Sequence, residues 1–251
     1  MTAPTLPKRL KKEPLVDAIF EIRFSSSTEA SSVLPGFFYA RLKPKEWQVE
    51  HLPISEFPSQ VRHLEPNLRF LPLIRLHWGN FVLLIGDNAF GIGCKMPYSG
   101  WDDFKKRIIG ATEILIDAEI IMAIERYSIK YVNVIAGESL AEQIQGINVD
   151  IRVGSHTLKQ ETFNVRLEVP HDDFINVIQI AAPARAKMLD GRELLGTLID
   201  MDTVCNHQTN DLVKFTNELP DRAEAIHAEN KDKFFECLKP ETIRSLEPEY
   251  E

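Results

Sequence analysis

Two stretches of the chain alternate between apolar and polar residues over most of their length. In residues 15–24, apolar side chains occupy every second position from Val16 to Phe24, and most positions between them are polar. In residues 125–137, aromatic and aliphatic side chains alternate with Arg126, Ser128 and Lys130. A period of two residues is typical of a β-strand that buries one face. The sequence therefore predicts a strand in each stretch.

Shorter runs with the same period predict further antiparallel strands. In the first half of the chain, residues 81–86 and 89–95 flank Asp87-Asn88, a dipeptide that is typical of a tight hairpin turn. In the second half, four runs have the pattern of strands: residues 147–153, 162–169, 175–182 and 194–204. Alternation of this kind indicates antiparallel strands with one exposed face.

Two longer stretches have the spacing of an amphipathic helix, with apolar residues three and four positions apart. The first follows residues 98–100, with Ser99 as the expected N-cap and acidic residues in the first turn. The second begins near Asn210 and reaches about Leu238. We expect Pro220 to interrupt the second helix, because proline lacks an N–H donor and its ring clashes with the preceding turn.

The order of elements is similar in the two halves of the chain. Residues 14–119 and 125–239 each contain a strand, a short helix, three or four antiparallel strands and a long helix. We interpret this order as a tandem duplication of one unit. It predicts an α+β fold with a curved, mainly antiparallel sheet and two long helices on one face.

The expected organisation of the chain has four segments. They are a flexible basic lead-in at residues 1–13, α+β halves at residues 14–122 and 123–240 that pack together, and an acidic tail at residues 241–251. The lead-in contains Lys8, Arg9, Lys11 and Lys12 but lacks the apolar segment of a signal peptide.

The net charge restricts the kinds of partner. Lys and Arg number 29 and Asp and Glu number 37, so the formal net charge is −8. Nucleic-acid binding requires concentrated Lys and Arg, and the acidic charge argues against it. The charge fits a basic protein partner such as a toxin or nuclease, although mild acidity is also ordinary for soluble proteins.

Hydropathy and cysteine usage indicate a cytoplasmic protein. No apolar run approaches the roughly 18 residues that a membrane span needs. Cys94, Cys205 and Cys237 are far apart and show no paired spacing. An odd number of unpaired cysteines indicates a reducing compartment.

Asp200 and Asp202 are the best candidate for an acid pair. At positions i and i+2 of a strand their side chains share a face, with Cα atoms about 6.5–7 Å apart. Such a pair could bind a metal or act as two catalytic carboxylates. If the core lies on the face of Leu195, Thr197, Ile199 and Met201, however, both aspartates point to solvent. No further ligand has the required spacing, so the sequence predicts no metal site.

Two histidines lie near residues with which they could act. His227 lies on the apolar side of the last helix, where it could be a general base or could anchor the helix to a strand by hydrogen bonding. Cys205 and His207 would share a face of a strand, so a thiolate–imidazole pair is conceivable. No orienting carboxylate or oxyanion loop accompanies the pair.

Arg126, Lys130 and Arg166 lie on the polar sides of predicted strands. If those strands are neighbours, the three cations would form a basic patch for a phosphate, a nucleotide or an acidic partner. Exposed sheet faces also carry such charges without binding anything. The chain contains no nucleophile-elbow, zinc-protease, phosphate-loop or dinucleotide-binding motif. We therefore predict no catalytic residues and no cofactor.

Several segments together resemble a known family. In chain order they read PLVDAIFEIRF, LPGFFYARL, MPYSGWDDFKKRI, RYSIKYVNVI, LLGTLIDMD and AIHAENKDKFFECLKPE. These segments resemble a family of sporadically distributed bacterial and archaeal proteins of unknown function. The first begins at Pro14 and the last ends at Glu241, so the resemblance covers nearly the whole chain. A sporadic distribution is typical of toxin–antitoxin and antiphage defence systems, so the resemblance implies such a role.

The sequence leaves enzymatic activity open and favours a non-enzymatic interaction protein. The expected role is an antitoxin-like or accessory component of a toxin–antitoxin or antiphage defence system, with a basic protein partner. The alternative is a small-molecule or nucleotide binder that uses a cavity between the curved sheet and its long helices. Nucleic-acid binding through the basic lead-in ranks last, and a homodimer is left open.

Overall fold

The computed structural model describes residues 6–43, 48–187, 191 and 193–250, with His63 described in its backbone only. The first five residues of the expected lead-in and the last residue of the expected tail lie outside this part. The strands are β1 (Arg9–Leu10), β2 (Leu15–Ser26), β3 (Gln48–His51), β4 (Ile74–Trp78), β5 (Phe81–Ile85), β6 (Ala89–Cys94), β7 (Ile121–Ala136), β8 (Arg152–Val153), β9 (His156–Thr157), β10 (Phe163–His171), β11 (Phe174–Lys187), β12 (Glu193–Thr209) and β13 (Pro248–Glu249). The helices are α1 (Ala30–Leu42), α2 (Ser59–Leu64), α3 (Trp101–Asp117), α4 (Leu140–Gln145), α5 (Leu212–Glu236) and α6 (Pro240–Ser245), with a 3₁₀ turn at Pro53–Glu56.

Nine of the described strands form one sheet in the order β10-β11-β12-β7-β2-β6-β5-β4-β3. The pairs β10–β11, β2–β6, β3–β4, β4–β5 and β5–β6 are antiparallel. β2 and β7 also run antiparallel, because Val134 N–H donates to Pro14 O near one end and Ser27 N–H donates to Ile120 O near the other. The α+β class and the mainly antiparallel sheet are therefore confirmed.

The strands with the clearest alternation form as predicted. In β2, the side chains of Ala18, Phe20, Ile22 and Phe24 are fully or almost fully buried, while the residues between them are half-buried. The hairpin of β5 and β6 also forms as predicted. Local period and turn chemistry are sufficient here, because each strand pairs with a neighbour close in the chain or buries a clean apolar face.

The two long helices form, but two details of their prediction are wrong. The N-cap of α3 is Gly100 with φ of 93°, and no side chain caps the helix, so Ser99 does not have that role. Glycine adopts this backbone conformation at no steric cost. Pro220 lies inside α5 and does not interrupt it. Buried residues lie on both sides of the proline, at Leu219 and Ala223, and their packing outweighs the lost hydrogen bond.

The strand predicted at residues 147–153 is wrong for most of its length. Only Arg152–Val153 is a strand, and it pairs with β9. Ile147 is fully buried and forms an isolated bridge with Leu238, beyond the end of α5. Asn148 N–H donates to Cys237 O at 2.7 Å. Contact with a segment distant in the chain, which local alternation cannot reveal, determines the conformation here.

The chain divides into two compact units, each with its own core. Unit 1 contains Met1–Asp17, Lys130–Thr203 and His227–Glu251, and unit 2 contains Ala18–Ile129 and Val204–Ile226. The unit boundaries fall inside β2, β7, β12 and α5. The predicted halves, residues 14–122 and 123–240, stay a prediction.

Apolar packing accounts for the core of each unit. The core of unit 1 joins strand residues to the end of α5, through Ile135, Ile147, Ile180, Ile199, Phe234, Phe235 and Leu238. In unit 2, Phe38 stacks on Phe90 with ring centroids 5.2 Å apart, and Phe81 stacks on Phe104 at 6.2 Å. Stacked aromatic pairs add stabilisation beyond the area that they bury.

The basic lead-in and the acidic tail contain a strand pair that the sequence did not predict. β1 pairs with β13 in an antiparallel register, with Arg9 opposite Glu249. Lys12 Nζ lies 2.8 Å from Glu247 Oε1, and Lys11 Nζ lies 3.6 Å from Glu249 Oε1. Opposite charges therefore accompany the backbone pairing of these two segments in unit 1.

Candidate functional site

The six candidate residues from the sequence lie on four elements of the fold. They are Arg126 and Lys130 on β7, Arg166 on β10, Asp200 and Asp202 on β12, and His227 on α5.

The structure brings Lys130 and Asp200 together in unit 1. Lys130 Nζ lies 2.7 Å from Asp200 Oδ2, and both side chains are partly exposed. Asp202 follows on the same side of β12, because the residues at the alternate positions, Met201 and Thr203, are fully buried. The two aspartates therefore share a face, as predicted. No group of three or more His, Cys, Asp or Glu that could hold a metal ion occurs in the described residues.

The other two cations contact carboxylates of their own. In unit 2, Arg126 Nη2 lies 3.5 Å from Glu21 Oε1, and Arg23 Nε lies 2.7 Å from the same oxygen. In unit 1, Arg166 Nη1 lies 2.7 Å from Glu168 Oε1 on the same strand. Each of the three predicted cations thus has a different acidic partner. The basic patch stays a prediction.

His227 contacts an aromatic side chain of β7. Its Nδ1 lies 3.1 Å from the hydroxyl oxygen of Tyr131, and the two rings meet edge to face with centroids 5.7 Å apart. Of the two alternatives for His227, this contact fits the anchoring of the helix to a strand.

A buried polar network in unit 1 was missed by the sequence analysis. Asn176, Thr203 and Asn230 are at most 1% exposed. Thr203 Oγ1 donates to Asn176 Oδ1 at 2.7 Å, and Asn230 Nδ2 donates to Thr203 Oγ1 at 3.0 Å. Asn176 Nδ2 donates to Glu229 Oε1 at 2.6 Å, and Nδ1 of the half-exposed His171 lies 3.0 Å from this carboxylate. The network thus runs from the core to the surface.

The sequence contains only a weak sign of this network. Thr203 occupies a position of β12 that has the same period as the buried Ile199 and Met201. A polar residue at such a position requires a hydrogen-bonding partner. The sequence does not reveal that the partners lie on β11 and α5.

A second polar cluster in unit 2 surrounds Tyr127. Burial, followed by hydrogen bonding to Cys205, raises the pKa of the Tyr127 hydroxyl. A hydrogen bond from Arg222 lowers the pKa of Glu218, at a distance of 2.6 Å. Burial, followed by the positive charge of Arg222, lowers the pKa of His207.

The contacts of this cluster do not favour the thiolate–imidazole pair. Cys205 is buried and hydrogen bonded to Tyr127. His207 stacks on Phe215, with ring centroids 6.1 Å apart. The raised pKa keeps the hydroxyl of Tyr127 neutral, and the stacked rings of His207 and Phe215 belong to the same cluster. These contacts indicate a structural role for the cluster.

A buried ion pair in unit 2 fixes the short helix α2. Arg62 Nη2 lies 2.9 Å from Asp87 Oδ2, and Arg62 Nη1 also donates to Phe57 O. Ser31 Oγ donates to Asp87 Oδ1 at 2.6 Å. Arg62 is 8% exposed. The hairpin turn that contains Asp87 was predicted, but its cationic partner 25 positions earlier was not.

Three exposed apolar side chains lie on α2 or just before it, and we call them the α2 face (Phe57, Val61 and Leu64). These side chains are 49%, 40% and 80% exposed, respectively. Val61 and Leu64 are three residues apart, so they project from the same side of α2. The neighbouring charged residues Glu56 and Glu65 are exposed and acidic. Exposed apolar clusters with a polar rim are typical of protein interaction sites.

Compared with protein-family models and with curated proteins, the chain matches none of them. The family resemblance seen in the sequence therefore stays a prediction. Among the described residues, no helix has both the length and the apolar character needed to cross a membrane.

Proposed function

We propose that this protein is a non-enzymatic interaction protein that binds a basic protein through the α2 face. The observation that carries the proposal is a buried ion pair on α2 next to exposed apolar side chains. On the inner side of α2, the buried Arg62–Asp87 ion pair holds the helix against the hairpin turn. Val61 and Leu64 on the helix and Phe57 just before it are exposed.

Rigidity matters because binding is weakened by the entropy lost when a mobile segment becomes ordered. A helix of six residues would be unstable by itself. Held by Arg62, it presents its apolar side chains in one arrangement before the partner arrives. Such preorganised apolar residues are suited to the centre of an interface.

The charges next to the α2 face support a basic partner. Glu56 and Glu65 flank the apolar side chains, and the formal net charge of the chain is −8. A partner with Lys or Arg around an apolar centre would be complementary to both. Acidic flanking charges would also speed its association at low salt.

A toxin or nuclease is the partner class that we propose. The protein would then be an antitoxin-like or accessory component of a toxin–antitoxin or antiphage defence system. The acidic charge and the resemblance to a sporadically distributed family support this assignment.

The test is co-purification of the tagged chain with the product of the neighbouring gene in its host. We expect a stoichiometric complex with a basic protein. Leu64→Ala should raise the dissociation constant at least about tenfold, because exposed apolar residues at the centre of an interface dominate its affinity. Glu65→Lys should weaken binding and reduce its salt dependence.

Val213→Ala is the matched control, since Val213 lies in the same unit and is 71% exposed. It should leave the dissociation constant unchanged. A complex that survives both Leu64→Ala and Glu65→Lys would refute the α2 face as the site. Recovery of no stoichiometric partner would count against the function as a whole.

A second candidate function is the binding of a small molecule or nucleotide. A hollow of about 420 Å³ in unit 2 lies next to Ser25, Glu125 and Gln208, and its volume falls within the usual range for ligand sites. A thermal-shift screen with nucleotides and metabolites tests this function. No increase in melting temperature with any compound would reject it.

We also propose the tandem duplication and the curvature of the sheet. The strand order supports duplication, because β2 and β7 are adjacent and antiparallel, and the remaining strands of each half follow outward from them. In each half the strand next to the first one, β6 or β12, is followed by a long helix. Superposition of residues 14–119 on residues 125–239 tests the duplication. Strand orders that do not match between the two halves would reject the duplication.

A cytoplasmic location is part of the same proposal. Cys94, Cys205 and Cys237 are all free thiols, and burial raises the pKa of Cys237 to about 11. Free thiols persist in a reducing compartment. Fractionation of host cells that places the protein outside the cytoplasm would contradict this part of the proposal.

A further inference from the structure

The strand β10 forms one edge of the nine-stranded sheet and is unusually open. It has nine residues, whereas β3 at the other edge has four. From Arg166 to His171 every residue of β10 is exposed. In the described part of the chain no other strand pairs with its outer edge. A long, exposed edge strand is a template for pairing with another strand.

The hairpin determines which backbone groups point outward. A two-residue turn joins β10 to β11, so His171 and Phe174, which close it, bond to each other through their backbones. Hydrogen-bonded pairs alternate along an antiparallel ladder, so Leu167 also bonds to β11. The backbone groups of Arg166 and Glu168 therefore point to the open edge.

We propose that β10 pairs with β10 of a second copy of this chain, antiparallel and centred on Leu167. In this register Arg166 lies opposite Glu168 of the second copy, and Glu168 lies opposite its Arg166. Both pairs have their backbone groups directed outward, so both can exchange hydrogen bonds. A two-fold axis through Leu167 makes the contact isologous, as in most homodimers.

Charge complementarity is the main support for a second copy as the occupant. Arg166 and Glu168 already form an ion pair of 2.7 Å within one strand. Antiparallel pairing about Leu167 places each charge opposite its counterion, so the four side chains would alternate in sign.

The other face of β10 is apolar and self-complementary in the same register. Leu167 is 52% exposed and would face Leu167 of the second copy. Val169, which is also exposed, would face Val165 of the second copy. Cross-strand aliphatic pairs of this kind stabilise a sheet. Pro170 has no N–H and therefore limits the pairing near the hairpin tip.

The surface differs from the α2 face, so this inference is independent of the proposed function. Sedimentation equilibrium of the full chain tests it first. We expect a reversible dimer whose dissociation constant rises at least about tenfold in Glu168→Arg and in Arg166→Glu, because each creates two like-charge pairs. The combined variant Arg166→Glu with Glu168→Arg restores opposite charges and should bind nearly as tightly as the wild type.

Disulfide trapping tests the register. Leu167→Cys places one thiol opposite itself across the two-fold axis, so oxidation should give a covalent dimer. Val169→Cys is the matched control on the same face. In the proposed register its two thiols are four residues apart along the strands, or roughly 13 Å, which is too far for a disulfide.

Three results would overturn the proposal. The wild type could remain monomeric at every concentration studied. The double charge exchange could bind no more tightly than the single variants. Val169→Cys could form covalent dimers as readily as Leu167→Cys, which would show that pairing is unspecific or has another register.

Discussion

The two units of the molecule stabilise buried polar groups in different ways. In unit 1 the fully buried members are neutral: Asn176, Thr203 and Asn230 bond to one another, and the carboxylate of Glu229 joins them only at the edge of the network. Unit 2 uses a buried ion pair, Arg62 with Asp87. Both arrangements join elements that are distant in the chain, but removal of one member has different consequences.

A neutral network that loses one member leaves unpaired dipoles, whereas a broken ion pair leaves an unpaired charge. Desolvating a charge is far more costly than desolvating an amide or a hydroxyl. The ion pair therefore adds little net stability when intact, but its disruption is severe. Unit 2 should consequently be the more sensitive of the two to a single polar substitution.

The largest effect is expected for Arg62→Ala. It leaves Asp87, which is 4% exposed, without its cation. The free energy of unfolding should fall by about 3–5 kcal/mol, as measured by chemical denaturation. Arg75→Ala is the control, because its ion pair with Glu50 is about 40% exposed and should contribute less than about 1 kcal/mol. Equal losses in the two variants would contradict the proposed difference.

A smaller effect is expected for Thr203→Val, which removes a hydroxyl while nearly preserving shape. Asn176 loses its donor and Asn230 loses an acceptor, both in the core. The free energy of unfolding should fall by about 1–3 kcal/mol in the same assay. Thr216→Val is the control, since that hydroxyl donates to Leu212 O within the same helix, α5. A loss as large as that of Arg62→Ala would show that neutral and ionic clusters are equally sensitive.

His171→Ala tests the surface end of the network in unit 1. The imidazole is 48% exposed and lies 3.0 Å from Glu229. Its removal should cost less than about 1 kcal/mol, because the imidazole is half-exposed to screening solvent and Asn176 still donates to Glu229. A double-mutant cycle with Glu229→Gln isolates the pair energy. A coupling energy well above about 1 kcal/mol would show that the His171–Glu229 pair is as strong as a buried pair.

The smallest expected effect is a change of pH dependence in unit 2. Burial and the nearby cation Arg222 lower the pKa of His207 below its ordinary value of 6.5. The unfolded state therefore binds the proton more readily, so stability falls as the pH decreases through 6.5 and is regained as it rises. His207→Phe, which can retain the stack on Phe215, should reduce this slope between roughly pH 5 and pH 7. If the free energy of unfolding varies with pH equally in the wild type and in His207→Phe, the dependence does not come from His207.

Elements that depend on neighbours in the chain could be predicted. β2, β7 and the β5–β6 hairpin follow from a two-residue period and from the Asp87-Asn88 turn. Predictions failed where distant packing prevails over local preference. Pro220 does not break α5 because both flanks are buried, and Ile147 bridges Leu238 instead of continuing a strand.

The candidate site was harder to predict than the fold. The sequence indicated that Lys130 and Asp200 were polar strand positions, but not that they contact each other at 2.7 Å. It did not single out Arg62, because an arginine in a short surface segment is ordinarily exposed. The α2 face was equally hidden, since exposed and buried apolar residues have the same local pattern.

By itself, the sequence determined the α+β class, the antiparallel strands and the two long helices. These depend on periodicity, turn chemistry and burial of one face, which are local properties of the chain. Only the tertiary structure decided which polar residues are paired and which apolar residues stay exposed. It placed Arg62 against Asp87, left Leu64 in solvent and left β10 at an edge. The physical reason is that pairing and exposure depend on contacts between segments far apart in the chain.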